Sequence, residues 1–263
     1  HVMTVENTEN VLLFSAQGKV FNLPVHKIPI TEKGSVGIDI RVLLKGLISD
    51  ISAIVYEPIL REASKKLEKH HIVMVTNNNC IKKLDIEDFL NVPLSGIIYT
   101  KLNPSDFVKN ILIMPDNLDI VIYSDRKALR VNMTQIPKYK RSTLGVSAMN
   151  LNNGECIDGI SALYPDMTDV VVVTENGRVN KFDIAGLQVS DRYKAGSSVI
   201  KLGKTDTIHS IFGVNDKMVL KITTKVGVIN IPISDIQKGS SLSSGVKILN
   251  KSDIVLKCEI YYN

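Results

Sequence analysis

The sequence predicts an all-β protein made of five similar blades, each a small antiparallel sheet. Three observations predict this fold class. One stretch has the pattern of a β-hairpin, its apolar spacing recurs at four other places, and the recurrence has a period of about 50 residues. At 263 residues the chain is long enough to bury a substantial core, and the repeat favours a single domain.

The hairpin pattern lies at residues 170–187. Four consecutive valines, Val170 to Val173, are followed by Glu-Asn-Gly and then by apolar residues that include Val179 and Phe182. Asn-Gly supplies the positive φ that a tight hairpin turn requires. The stretch is therefore predicted to form two β-strands joined at Gly177.

Apolar residues fall 2, 5, 7 and 10 positions after Gly177, and the same spacing follows four other positions along the chain. Those positions are Gly18, Asn79, Arg126 and Val226. A second mark is a glycine 19 residues after the turn, at Gly37, Gly145, Gly196 and Gly245, with Gly96 two residues early. A pair of apolar residues near each repeat's end is a third mark. Three marks in register indicate true internal repeats.

A repeat of this length with four short strands is typical of a propeller blade. The predicted blades are residues 11–56, 72–115, 116–165, 166–215 and 216–263, after a polar lead-in over residues 1–10 whose opening His-Val-Met resembles a vector-derived remnant. Residues 57–71 interrupt the series. Ile59, Leu60, Ala63 and Leu67 fall on one helical face there, which predicts one short amphipathic helix ending in the surface histidines His70 and His71.

Composition sets broad limits on function. The net charge of +5, from 32 basic and 27 acidic residues, permits a polyanionic partner without requiring one. Three cysteines without C-x-x-C spacing predict neither a disulfide framework nor a zinc site, and favour the cytoplasm. The sequence has no run of 18 apolar residues and no charged-then-apolar leader, so neither a membrane span nor secretion is predicted.

Three motifs resemble a known family. They are Gly-Lys-Val-Phe at 18–21, Val-His-Lys-Ile-Pro at 25–29 and Glu-Asn-Gly-Arg-Val at 175–179. They resemble the blades of the C-terminal domain of the A subunit of bacterial type IIA topoisomerases, the family of DNA gyrase and topoisomerase IV. The resemblance covers residues 11–263. The gyrase-specific box Gln-Arg-Arg-Gly-Gly-Lys-Gly is absent, so the choice between gyrase and topoisomerase IV stays open.

The resemblance implies a β-pinwheel, a propeller-like disc of about five four-stranded blades with one short inserted helix, in which neighbouring blades exchange strands. It implies a non-catalytic domain that binds and bends duplex DNA around a basic rim. The catalytic tyrosine of the family belongs to a domain outside this chain, and ATP and Mg²⁺ belong to the parent enzyme, so no cofactor or metal is expected here. The implied partners are the ATPase B subunit of an A2B2 enzyme associated with the nucleoid, together with the rest of the A subunit.

Bending DNA requires cations spaced along a surface, because phosphate neutralisation releases counterions and offsets the elastic cost of the bend. The loop before the repeated glycine is the predicted source of these cations in four of the five repeats, and Lys138, Lys140 and Arg141 form the strongest cluster. The loop of the second repeat has no charge. The predicted DNA-binding residues are Lys33, Arg126, Lys127, Arg130, Lys138, Lys140, Arg141, Arg178, Arg192, Lys194 and Lys238. Lys19, Lys82, Lys83 and Lys181 also flank the predicted hairpins.

Other interpretations have weaker support. Any single lysine taken alone is more often an ordinary solvated residue than a DNA contact, and it is the recurrence at one loop that favours binding. The main alternative function is a propeller that docks another protein through mixed-charge loops. Residues 196–205 end like a phosphate-binding loop, but six residues separate the glycines where that motif has four. No Ser/His/Asp set or paired carboxylates recur at matched positions, so the chain is not predicted to be an enzyme.

Overall fold

The computed structural model describes residues 4–32, 34–250 and 253–262. Within these ranges nearly all regular structure is β-strand, with two short α-helices, α1 (Ile40–Leu43) and α2 (Glu57–Lys65). In chain order the strands are β1 (Asn10–Ser15), β2 (Lys19–Pro24), β3 (Ile51–Tyr56), β4 (His70–Thr76), β5 (Cys80–Asp85), β6 (Ile97–Ile98), β7 (Val108–Pro115), β8 (Asp119–Ser124), β9 (Ala128–Asn132), β10 (Val146–Ser147), β11 (Ile157–Leu163), β12 (Asp169–Thr174), β13 (Arg178–Asp183), β14 (Ile208–Val214), β15 (Met218–Thr224), β16 (Val228–Pro232), β17 (Val246–Lys247) and β18 (Val255–Tyr262). No helix in the described ranges is both long enough and apolar enough to cross a bilayer.

The strands form five antiparallel sheets across the described residues, as the repeat predicts. Their orders are β3-β1-β2-β6, β10-β5-β4-β7, β11-β8-β9, β14-β12-β13-β17 and β16-β15-β18. The chain divides into two compact units: one contains residues 1–116 and 137–146, the other residues 117–136 and 147–263. The blade boundaries and the single-domain organisation stay predictions.

Each sheet contains one hairpin, which is central in the three four-stranded sheets, and three of the five hairpin turns have the predicted positive φ. In the β12–β13 hairpin Val173 pairs with Val179 across the turn, where Gly177 has φ 73°. Gly18 and Asn79 adopt positive φ at the equivalent positions of the first two hairpins. Glycine and asparagine are the residues that enter this region at least cost, which explains their place in the repeat.

The outer strand of a sheet can come from the following repeat. In the first unit β6 pairs Ile97 with Val20 on β2, although β6 follows the β4–β5 hairpin in the sequence. In the second unit β17 pairs with β13 in the same way. On β9 the corresponding contact is a single bridge between Ala128 and Ser197, and this sheet has three strands in place of the expected four.

The run of four valines is explained by burial on both faces of β12. Val170 and Val172 pack in one apolar cluster of the second unit, whereas Val171 and Val173 pack in another. All four side chains are fully buried. Because each buried valine contributes about 2 kcal/mol relative to exposure, this strand is a major source of stability for the second unit.

The inserted helix is shorter than predicted. α2 ends at Lys65, buries Leu60 and Ala63, and leaves Leu67 beyond its end fully exposed. The predicted remainder includes His70 and His71, which belong to β4, where main-chain pairing with β5 and β7 takes precedence over helix formation. The prediction that both histidines lie on the surface is wrong for His71, whose side chain is only 2% exposed.

Candidate nucleic-acid interface

Three loops contain six of the predicted DNA-binding cations, and they share one construction. We define them as loop 137–145, loop 188–196 and loop 237–245. Each begins shortly after a single 3-10 turn and ends at a repeated glycine. Loop 137–145 lies in the first unit, and the other two lie in the second.

Main-chain hydrogen bonds attach each loop to the hairpin of the preceding repeat. In loop 137–145 the Tyr139 N–H donates to the Lys83 carbonyl at 3.0 Å. The Ser190 N–H donates to the Arg130 carbonyl at 2.9 Å, and the Gly239 N–H to the Lys181 carbonyl at 2.7 Å. Lys83, Arg130 and Lys181 are each four residues past their hairpin turn. The repeat therefore fixes the start of each loop through the backbone, whatever side chains the loop carries.

The repeated glycine fixes the other end of each loop by allowing close approach of two backbones. A Cβ atom added at Gly245 would lie 2.5 Å from the Val179 carbonyl oxygen, and one at Gly145 would lie 2.3 Å from that of Ile81. Gly245 also has φ 61°, a region that other residues enter only with strain. At Gly145 and Gly245 the second mark of the repeat is therefore a packing requirement, whereas a Cβ at Gly37 would meet nothing within 4 Å.

Loop 137–145 is the most cationic of the three. The Lys138 ammonium lies 3.0 Å from Asp85 Oδ2, and the hydrogen bond and charge of Asp85 raise the pKa of Lys138. The Arg141 Nε lies 3.8 Å from Asp88 Oδ2, and Lys140 is exposed with no ion pair among the described residues. A phosphate at this loop would compete with carboxylates for Lys138 and Arg141 and find Lys140 unpaired.

An open cleft of about 790 Å³ borders this loop. Its lining combines the three cations with two carboxylates and two isoleucines: Asp85, Asp88, Ile97, Ile98 and residues 138–142. The lining therefore has one more positive than negative side chain. Such a surface attracts an anionic backbone weakly and in a strongly salt-dependent way.

Two of the three predicted cations in the other two loops are likewise bound within the protein. The Arg192 guanidinium donates to the Ser147 carbonyl, whereas Lys194 is exposed and unpaired in the described part of the chain. Lys238 binds both Asp169 and Asp183, the latter at 3.2 Å. These hydrogen bonds, with Asp169 first, raise the pKa of Lys238. Its charge is therefore largely satisfied within the protein.

The hairpin cations differ in how exposed they are. Arg126 is half-exposed and donates to the Lys204 carbonyl at 3.4 Å, and Arg178 donates to the Ser244 carbonyl at 3.2 Å. Lys127 is partly exposed. Arg130 is largely enclosed, with a side chain that is 19% exposed, and its guanidinium binds Asp119 at 2.8 Å. Lys33 lies outside the described residues, and the DNA contacts assigned to all these cations stay predictions.

Sequence reasoning missed a set of buried polar residues next to the loops. Lys82, Lys83 and Lys181 look like surface cations in the sequence, yet all three are buried. The Lys83 ammonium binds Asp116 at 2.7 Å, and the Lys181 ammonium lies 3.2 Å from Asp216. Their shared signal is a position three or four residues past the hairpin turn, where the side chain binds residues of the next repeat.

The repeated hairpins, the exchanged strands and the glycine-anchored basic loops define an all-β repeat protein of the propeller class. A family model described as the DNA gyrase C-terminal domain, beta-propeller, matches residues 9–41, 70–113, 124–162 and 168–215. The chain belongs to that family. The fifth repeat lies beyond the matched residues, although its β15–β16 hairpin and β18 are present in the structure.

Related proteins and structures agree with this assignment. The chain is 26% identical over 259 residues to the DNA gyrase A subunit of Haloquadratum walsbyi, covering 95% of the chain and 30% of the relative. It is 28% identical to the DNA gyrase A subunit of Ureaplasma parvum, covering 95% of the chain and 30% of that relative. The chain thus spans about a third of these relatives or less.

Two solved structures have the same fold. The C-terminal domain of DNA topoisomerase IV superposes with a TM-score of 0.83 at 18% identity, covering 97% of this chain and 80% of that one. The DNA gyrase A C-terminal domain gives a TM-score of 0.77 at 18% identity, with coverage of 97% and 83%. These likenesses confirm the predicted fold class.

Proposed function

We propose that this chain is the DNA-binding and DNA-bending part of a type IIA topoisomerase A subunit. It contacts the phosphates of duplex DNA without reading base sequence, and it has no catalytic role of its own. The observation that carries the proposal is loop 137–145. In this loop three cations stand within four residues on a main chain that is attached to a buried hairpin and a close-packed glycine.

The energetics are compatible with this role. A smooth bend of tens of degrees costs on the order of 1 to 6 kcal/mol, which a handful of phosphate contacts offsets. Because several loop cations are already bound to aspartates, we expect weak binding that is strongly dependent on salt. In the parent enzyme, with its ATPase subunit in the cytoplasm, such a domain would present a DNA segment for passage.

The direct test measures the affinity for duplex DNA by fluorescence anisotropy at a series of salt concentrations. The triple variant Lys138→Ala, Lys140→Ala and Arg141→Ala should bind about ten-fold more weakly, and its salt dependence should fall by about one power of salt concentration for each phosphate that is no longer neutralised. The control is a charge-matched triple variant at exposed lysines outside the three loops, Lys65, Lys66 and Lys217. Equal affinities for the two triple variants would count against loop 137–145 as the site of DNA binding.

The ion pairs at these loops support a second candidate function, the docking of another protein. Lys138 with Asp85 and Lys238 with Asp183 form mixed-charge surfaces of the kind that dock other proteins. Ring closure of short DNA by ligase separates the two functions. A DNA-bending domain raises the rate of closure, whereas a protein-docking module leaves the rate unchanged.

A further inference from the structure

Lys82 is a fully buried lysine on β5 that binds the inner side of loop 137–145. Its side chain is 0% exposed. The ammonium donates to three main-chain carbonyls of the loop: Thr143 at 2.7 Å, Arg141 at 3.1 Å and Lys140 at 3.4 Å. Two of these three residues are predicted DNA contacts, so the same residues bind Lys82 through their backbone and expose their side chains.

The chemistry of this contact is specific for a charged amine. An ammonium group has three N–H donors and no acceptor, which matches three converging carbonyls. Lys82 forms no ion pair among the described residues, so the carbonyl dipoles of the loop are what replace water around its charge. A buried charge satisfied only by main-chain oxygens restrains that main chain strongly.

The same position differs in the other repeats. Asn180, also three residues past its turn, donates to the Ser240 carbonyl of loop 237–245 at 3.0 Å and accepts from Ser243 Oγ at 2.6 Å. Leu129 and Phe21 occupy the position in two further repeats and are buried apolar residues. Among these four repeats, the charged residue occurs where the loop contains three cations.

We propose that Lys82 is a positioning residue for DNA binding, whose buried ammonium holds the main chain of residues 140–143 so that Lys140 and Arg141 face the phosphates. This inference rests on the proposed function. It adds a residue that touches no DNA yet sets the affinity of the loop that does.

The positioning role has a pH signature. Burial lowers the pKa of Lys82 to about 8. The titratable group beside it on β5 is Cys80, whose pKa burial raises and whose Sγ accepts the Gly145 N–H at 3.0 Å. The facing loop contributes the cations Lys140 and Arg141. Above about pH 8 the amine loses one of its three donors, so the loop is held less firmly and DNA affinity should fall.

Stability should change in the opposite direction. The folded-state pKa lies below the ordinary lysine value of about 10.4, so the charged form of Lys82 lowers stability below about pH 8. That penalty is relieved as the pH rises from about 8 to about 10.4. A purely structural lysine would not make DNA affinity fall while its own contribution to stability rises.

The experiment measures duplex affinity between pH 7 and 9, together with hydrogen exchange of residues 138–145. Lys82→Met keeps the stem and removes the donors. It should bind DNA three- to ten-fold more weakly at pH 7, lose the decline above pH 8, and exchange faster in the loop. The matched control is Asn22→Ala, because Asn22 donates to the Val92 carbonyl of a loop without cations. Its affinity and pH profile should equal those of the wild type.

The outcomes separate this inference from the proposed function. If Lys140→Ala with Arg141→Ala weakens binding but Lys82→Met binds and titrates as the wild type does, Lys82 has no positioning role and the proposed function stands. If the wild type binds no duplex, the proposed function fails and takes this inference with it. If Lys82→Met does not fold, the wild-type profile decides, because an affinity that stays flat from pH 7 to 9 contradicts the proposal.

Discussion

Loops 137–145 and 237–245 are attached to the protein through the same main-chain contacts but carry different side chains. Both attach to the preceding hairpin through the residue two past their last apolar mark, Lys138 or Lys238, and both end at a glycine packed on a strand. Between these points the first loop has cations where the second has serines. The buried residue beneath changes too, from Lys82 to Asn180. The comparison teaches that the repeat fixes the backbone, whereas the loop and the residue that holds it vary together.

The largest expected effect comes from the glycines that end both loops. Gly145→Ala and Gly245→Ala should each lower the free energy of unfolding by about 2 to 4 kcal/mol, because the added Cβ meets a main-chain carbonyl. Chemical denaturation measures this loss. The control is Gly227→Ala, where a Cβ would meet nothing within 4 Å. If only one of the two glycine substitutions lowered the free energy of unfolding, the two loops would not depend on the same main-chain packing.

The next effect concerns the residue beneath the second loop. Asn180→Ala removes hydrogen bonds to the Val199 and Ser240 carbonyls and leaves Ser243 Oγ without its acceptor. Unsatisfied buried groups cost about 1 to 3 kcal/mol, so the free energy of unfolding should fall by about 2 kcal/mol. Hydrogen exchange should increase at residues 237–245 and stay unchanged at 138–145. Increased exchange in both loops would contradict the local role of Asn180.

A smaller effect is expected at the aspartates that pair with the two loop lysines, Asp85 with Lys138 and Asp183 with Lys238. Burial acts to raise the pKa of Asp85, but Lys138, Lys69 and His71 outweigh it and the pKa lies below the ordinary value. The Ala185 N–H and Lys238 lower the pKa of Asp183. These carboxylates therefore contribute stability above the ordinary carboxyl pKa of about 3.9, and the contribution is lost as the pH falls through their lower folded-state values.

Asp85→Asn should reduce this acid sensitivity, seen as a smaller drop in the midpoint of thermal unfolding between pH 6 and pH 3. The same change frees Lys138 and should raise duplex affinity by about two-fold, since a partly exposed ion pair that is screened by solvent contributes little. Asp183→Asn should change affinity less, because Asp169 still binds Lys238. A larger gain for Asp183→Asn would reverse the ranking of the two loops.

The sequence predicted the hairpins, the five sheets and the place of the loops, because each depends on short-range patterns. The turn at Gly177 and the valines of β12 follow from local chemistry. The end of α2 could not be predicted, since Leu67 continues the helical spacing and only pairing of His70 and His71 with other strands stops the helix. Burial of Lys82 and Lys181 depends on partners more than 30 residues away, which no local pattern reveals.

The pairing of β17 with β13 has a consequence for how this chain unfolds. Removing the last repeat would leave Arg178 and Val179 on an open sheet edge, where unpaired backbone groups recruit other chains and promote aggregation. Neighbouring repeats so interlocked melt together, and proteolysis between them would not release a stable fragment. In the second unit, therefore, a group of repeats folds together, and a single repeat does not fold on its own.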